Sequence, residues 1–364
     1  MRLFLAVLCA GVMVPLAARS ANVKPAMREA AAEILRAGAP GVSMAVVANG
    51  RTFYCNAGTS GRPRLPVTNR TLFETASISK VFTTTLLGID VARGQKSLDD
   101  PIGQYMRGYS LRPHMRRATL EMLGTFTAGL PNMPADYVRL SAAERGIGNY
   151  TVPHFLRYVS RLEPPSRPPA LRVYSDASVG LLGLCLGNLK LGIWERRLRA
   201  EIFDPLDMRD TGLWLSAGQE NRLARGYERA GHPAPRWKVD AFAAADGIKS
   251  TTFDLAQFLT AQLGKNESTP EDLKTGMAIA VRTGFLVHFS HAREFQALAW
   301  RQDPVLIGRR NFWIVTKSGG VPGFSSNISF CRDLDVGVAI LANVSGLDLR
   351  DIEFNLIKSI ARAR

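Results

Sequence analysis

Apolar residues at Val23, Met27, Ala30 and Ile34 recur at helical spacing, and Gly38 stands just past them, which predicts an amphipathic helix. The next run, residues 41–48, is rich in valine, and residues 51–56 are again strand-like. Asn49-Gly50 lies between them, a strong hairpin signal because both turn residues must adopt positive φ. From Ser77 the helical period returns: Val81, Phe82, Leu86, Leu87 and Ile89 form an apolar face, Gly94 closes it, and Asp99-Asp100-Pro101 breaks the chain. Residues 95–235 then read as helical stretches separated by proline-rich loops, such as Glu163-Pro164-Pro165 through Pro168-Pro169. One apolar stretch here, residues 177–194, contains Asn188 and Lys190 and reads as a single buried helix rather than a membrane span. β-Branched and aromatic residues return at 311–316, 326–331 and 336–342, predicting three late strands. A closing helix follows over 348–361, with Leu349, Ile352, Phe354, Leu356, Ile357 and Ile360.

The order is therefore helix, strands, many helices, three strands, helix. It predicts an α/β (α+β) fold in which N- and C-terminal strands share one antiparallel sheet flanked by helices, with an all-helical lobe inserted. The α/β lobe is expected over about 21–76 and 236–364, and the helical lobe over about 77–235. A length of 364 residues supports this, and 46% hydrophobic with 21% charged residues excludes wholesale disorder.

The N-terminus changes the picture of where the chain works. Met1-Arg2 supplies a positive start, residues 3–18 are apolar, and Ala18-Arg19-Ser20 offers small residues at cleavage spacing. Residues 1–20 are thus expected to be a signal peptide, leaving a mature periplasmic protein with no membrane span. Cys9 would leave with it. Cys55, Cys185 and Cys331 remain, an odd number without a C-x-x-C pair, and read as packed thiols. The formal net charge of +15 is spread over sites such as Arg112, Arg116, Arg196, Arg199 and Arg309, and no basic run alternates with aromatics. Nucleic acid is not an expected partner; an anionic small molecule is. The five histidines include His288 and His291, but no H-E-x-x-H completes a metal site, and neither metal nor cofactor is expected. No G-x-S-x-G elbow is present.

Three short motifs carry the candidate chemistry. In Ser77-Ile78-Ser79-Lys80, residues three apart on a helix share a face, so Lys80 can reach the Ser77 hydroxyl. Serine becomes a useful nucleophile once a neighbour takes its proton. Tyr174-Ser175-Asp176 precedes the apolar helix; a tyrosine flanked by ammonium groups can act as a base, while Ser175 or Asp176 can equally cap the helix. Lys317-Ser318-Gly319-Gly320 ends a β-branched run, where a lysine and a hydroxyl can hold a carboxylate and glycines let a ligand lie against the strand. Lys274-Thr275-Gly276 looks similar, but it follows the helix-start signature Thr269-Pro270-Glu271 and reads as a helix end.

The order S-x-x-K, Y-x-N-like, K-[ST]-G resembles the serine β-lactamase and penicillin-binding protein superfamily. Phe73-Glu74, the stretch from Thr125 through Pro131, the stretch from Phe203 through Met208, Gly247-Ile248-Lys249-Ser250 and Leu341-Ala342-Asn343 narrow the resemblance to class C β-lactamases. The resemblance implies that Ser77 attacks the lactam carbonyl, that Lys80 and Tyr174 manage its proton, and that Tyr174 later activates the deacylating water. It assigns the substrate carboxylate to Lys317 and Ser318, and the oxyanion to the backbone N–H groups of Ser77 and Gly320. Two positions depart from the family: Asp176 where Asn is usual, and Asp246 where class C enzymes carry a tyrosine lining the side-chain pocket. Asp176 either faces the substrate or only caps its helix. The expectation is a monomeric serine β-lactamase acting on penicillins or cephalosporins. The alternatives are an esterase or a D-amino-acid or DD-peptidase with the same serine, and a penicillin-binding sensor that acylates once and stays acylated.

Overall fold

The computed structural model describes residues 22–61, 65–137, 150–163, 169–237, 241–282, 284–289 and 292–362. The expected signal segment, the centre of the proline-rich loop at 164–168 and His291 lie outside the described residues.

Helix α1, Val23–Arg36, buries Val23, Met27, Ala30 and Ile34, the stripe seen in the sequence. Strands β1 (Gly41–Ala48) and β2 (Arg51–Gly58) form the hairpin, with Asn49 at φ 52° and Gly50 at φ 69°, as a two-residue turn of this type needs. β1 also pairs antiparallel with β10 (Val336–Ala342), from Val42↔Ala342 to Ala48↔Val336. The two ends of the chain thus share one eight-stranded sheet, as expected, with β1 and β10 side by side. Along β10, Val336, Val338 and Ile340 face α1 and the closing helix, Arg350–Arg362, whereas Ala339 and Leu341 face the helices on the other side. The period of two places one core on each face of the sheet.

Three details differ from the sequence expectation. Among the described residues the late strands number six rather than three: β5 (Phe285–Phe289), β6 (Ala292–Gln296) and β7 (Arg301–Ile307) precede β8 (Arg310–Val321), β9 (Phe324–Cys331) and β10, and the sheet order is β2-β1-β10-β9-β8-β7-β6-β5. Alternation is masked there because inward positions are polar. Buried Glu294 and Asp303 pair with Arg301 and Arg350. Pro304 is tolerated in β7 because pairing with β6 is limited to Phe295↔Gln302 and Gln296↔Arg301, which leaves Pro304 on an open edge.

Second, residues 177–194 form two helices, Asp176–Leu186 and Leu191–Leu198, with Asn188 and Leu189 in left-handed conformation between them. The chain bends there by 82°, and no single described helix is long and apolar enough to cross a membrane. Third, Lys274-Thr275-Gly276 lies inside the helix Glu271–Val281, not at its end. Gly276 permits close packing against α2, Ser79–Ala92: a Cβ on Gly88 would sit 2.2 Å from the Gly276 carbonyl oxygen. The glycine serves contact between backbones, not a cap. Cys185 and Cys331 are buried and Cys55 is partly exposed.

Gly88→Ala forces these two helices apart. It is expected to cost about 1–3 kcal/mol, typical of overpacking, seen as a lower thermal unfolding midpoint.

Candidate active site

The turn before α2 sets the position of Ser77. Strand β3 (Phe73–Glu74) pairs with β4 (Lys249–Ser250) as Phe73↔Ser250 and Glu74↔Lys249. Thr75 donates to the Ile248 carbonyl from its N–H (3.0 Å) and its hydroxyl (2.8 Å). The chain then reverses at Ala76, whose φ of 49° is left-handed, into a single turn Ala76–Ile78 that leads into α2. A non-glycine residue there costs roughly 1–2 kcal/mol. Ser79 holds the turn closed: its hydroxyl donates to the Ala76 carbonyl (2.7 Å) and accepts from the Ile248 N–H (2.9 Å). From the other side, the Ser326 hydroxyl on β9 donates to the Thr75 carbonyl (2.8 Å). Gly319 on β8 completes the fit. A Cβ there would lie 2.5 Å from the Thr75 carbonyl oxygen and 3.0 Å from the Ser77 nitrogen. Ser77 is therefore wedged at a strand-to-helix junction, beside the end of the lysine-bearing strand.

Among the described residues, its hydroxyl oxygen has three polar neighbours. Lys80 donates to it from one turn along (2.9 Å), Tyr174 donates to it (2.8 Å), and it donates to Asp246 Oδ1 (2.8 Å). Lys80 is wholly buried and also meets Asp246 Oδ1 (3.0 Å), Asp176 Oδ1 (2.7 Å) and the Ala245 carbonyl (3.2 Å). Burial alone would drive its pKa down. The carboxylates of Asp176 and Asp246 more than offset that and hold Lys80 as an ammonium. Asp246 shifts up to about 6, chiefly through burial and through Asp176, with Lys80 opposing.

Tyr174 comes from the loop before the helix Asp176–Leu186. The stretch from Thr125 to Asn132 cradles it: Phe126 packs 4.9 Å from its ring, Ser175 donates to the Pro131 carbonyl, and the Asp176 N–H donates to Asn132 Oδ1. Ser175 is the N-cap, accepting from the Ser178 N–H (2.9 Å), so Asp176 is released from capping and turns its carboxylate to Lys80. Lys317 donates to the Tyr174 hydroxyl (3.1 Å), and its buried ammonium is shifted down by desolvation and by Lys80. Ser318 and Gly320 lie along the same strand, exposed to a cavity of about 540 Å³ that Ser77, Tyr174, Lys317 and Arg172 also line.

All seven residues singled out in the sequence are thus brought to one place: Ser77, Lys80, Tyr174 and Lys317 in direct contact, Asp176 through Lys80, and Ser318 and Gly320 along the adjoining strand. Asp246 also reaches Ser77, a contact the sequence does not show; there Asp246 stood out only by replacing a family tyrosine just before Gly247-Ile248-Lys249-Ser250. Arg172, outside the three sequence motifs, donates to Gln296 (2.6 Å) at the cavity wall. Among the described residues, no cluster of three or more His, Cys, Asp or Glu could hold a metal ion.

A family model described as Beta-lactamase matches residues 20–362. The chain belongs to the beta-lactamase family. A beta-lactamase of Escherichia coli K12 is 28% identical over 336 residues, covering 84% of each chain. The class C beta lactamase structure from Rhodobacter sphaeroides is 25% identical with a TM-score of 0.76, covering 92% of this chain and 98% of that one. A class C beta-lactamase in complex with cefoxitin is also 25% identical, with a TM-score of 0.78 and coverage of 94% and 99%. The family-like segments flanking the motifs have clear tasks here: 73–74 and 247–250 build the Ser77 turn, and 125–131 holds Tyr174.

Replacing Lys80 with Met leaves Asp176 and Asp246 facing one another without a cation. Breaking a buried pair this way typically costs about 3–5 kcal/mol. Asp246 already titrates above its unfolded value, so it binds more protons folded than unfolded between about pH 4 and 6, and its contribution to stability falls as pH rises through that window. Losing Lys80 pushes that window upward. The Lys80→Met deficit in denaturant unfolding should therefore be large at pH 8 and smaller at pH 5.

Proposed function

We propose that this protein is a class C-type serine β-lactamase in which Ser77 opens the lactam ring and forms an acyl-enzyme. The observation that carries this reading is the Ser77 hydroxyl, ringed by Lys80, Tyr174 and Asp246 beside a cavity that Lys317 and Ser318 line. A serine oxygen already within hydrogen-bond reach of proton-handling groups is poised for acyl transfer. The lysine and hydroxyl at the strand end suit the carboxylate of a penicillin or cephalosporin, as a cation and a donor beside an open backbone. The N–H groups of Ser77 and Gly320 would receive the oxyanion, a task worth roughly a hundredfold or more per donor. Tyr174, between the Lys80 and Lys317 ammoniums, is the group to draw a proton from the deacylating water. The same reading has the protein exported and cut after about residue 20, to work as a monomer in the periplasm.

Mass spectrometry of the purified protein mixed with a cephalosporin tests it. A transient adduct on Ser77 with accumulating hydrolysed product is expected, and neither with Ser77→Ala. A long-lived adduct without product would replace this reading with a sensor, and no adduct would send the search to small esters and D-amino peptides.

In a second test, Gly319→Ala drives a methyl group into the Thr75 carbonyl and the Ser77 amide. It should lower kcat/KM by roughly a hundredfold or more, the scale of a lost oxyanion donor, in steady-state cephalosporin hydrolysis.

A further inference from the structure

We propose that Asp246 is the general base of acylation: its carboxylate takes the Ser77 proton as Oγ bonds to the substrate carbonyl carbon, and returns it when the ester is hydrolysed. The proposal rests on the reading of Ser77 as an acylated nucleophile.

The hydrogen bonds around Ser77 Oγ fix where its proton lies. A serine hydroxyl has one proton to give and two lone pairs. Lys80, an ammonium, can only donate, so it fills one lone pair. A carboxylate can only accept, so the Ser77 proton lies toward Asp246 Oδ1 at 2.8 Å. Tyr174, at 2.8 Å, is left to donate into the second lone pair while it accepts from Lys317. Lys80 has no lone pair free for a proton. Its three N–H bonds are shared among Ser77, Asp246, Asp176 and the Ala245 carbonyl, all within 3.2 Å. Of the described groups touching Oγ, Asp246 alone is set to receive the proton without first losing one of its own. Its position is firm, since it closes the short helix Ala243–Asp246, against which Thr83 of α2 donates to the Ala244 carbonyl (2.7 Å).

The protons balance. In acylation the Oγ–H proton passes to Asp246, Oγ bonds to the carbonyl carbon, and the carbonyl π pair moves onto oxygen. As that pair returns, the C–N bond breaks and the lactam nitrogen takes a proton from the Tyr174 hydroxyl. The resulting phenolate lies between the Lys80 and Lys317 ammoniums, 5.1 and 4.8 Å from its ring centre. In deacylation the phenolate takes a proton from the attacking water, and Asp246 hands its proton to the departing Oγ. One lactam and one water give one ring-opened acid, and both side chains return to their starting state.

The groups facing Asp246 are Ser77, Lys80 from α2, Asp176 from the helix Asp176–Leu186, and Tyr137, a neighbour whose own pKa its charge helps raise. A base that must be ionised makes acylation rise with pH, and Asp246 is shifted up to about 6.

The test is the single-turnover acylation rate with a chromogenic cephalosporin and, separately, with p-nitrophenyl acetate, from pH 4.5 to 8. The wild-type rate should climb through an acid limb near pH 6. Asp246→Asn should lower the acylation rate by roughly 10²–10⁴-fold, the usual worth of a general base, and abolish the limb. Asp176→Asn removes a charge that raises the Asp246 pKa, so its limb should move to lower pH. An Asp246→Asn protein that keeps its acylation rate and limb would overturn the proposal. So would an unmoved limb in Asp176→Asn, a result that stands even where Asp246→Asn does not fold. If the cephalosporin fails to acylate the wild-type protein, the β-lactam reading falls, and the ester rates decide the role of Asp246 by the same criteria.

Discussion

A wholly buried ammonium is the constraint on which the site depends. Lys80 has no access to water, and an unpaired charge in that position would not survive folding. It is kept charged by Asp176 and Asp246, which reach it from different helices. That single requirement draws together α2, the helix Asp176–Leu186 and the short helix Ala243–Asp246, three elements remote in sequence. Ser77 takes its place within the same arrangement, because its hydroxyl is one more acceptor for the ammonium and one more donor for Asp246.

The surrounding fold reads as a means of holding that arrangement against the end of a sheet. Two short strands, 73–74 and 249–250, fasten the segment before Ser77 to the segment after Asp246, so hydroxyl and carboxylate are registered to each other by backbone pairing. The sheet contributes Lys317 on β8, and Gly319 lets that strand approach the Ser77 turn without a side chain between them. The left-handed Ala76 is the strained point, over-determined by hydrogen bonds from Thr75, Ser79 and Ser326.

Much of this was legible in the sequence, and for physical reasons. The β1–β2 hairpin was announced by Asn49-Gly50, and the shared sheet by strands at both ends of the chain. Ser77 and Lys80 were legible because spacing of three on a helix is local geometry. The β5–β7 strands were hidden because buried Glu294 and Asp303, neutralised by Arg301 and Arg350, stand where apolar residues would have shown a period of two. The break at Asn188 and Leu189 was hidden because both flanking helices are apolar, so no change of composition marks the turn. Asp246 was visible only as a departure from a family tyrosine. Its contact with Ser77, across 169 residues of chain, is a tertiary fact that no local pattern encodes.

A Ser77 proton that moves to a carboxylate and not to Lys80 leaves the acyl-enzyme with a protonated Asp246. Infrared difference spectroscopy of the acyl-enzyme, with Asp246→Asn as the reference protein, reads that proton directly. A protonated carboxyl band is expected to grow in step with the Ser77 ester band and to be absent from the variant. An ester band that forms with no accompanying carboxyl band would contradict it.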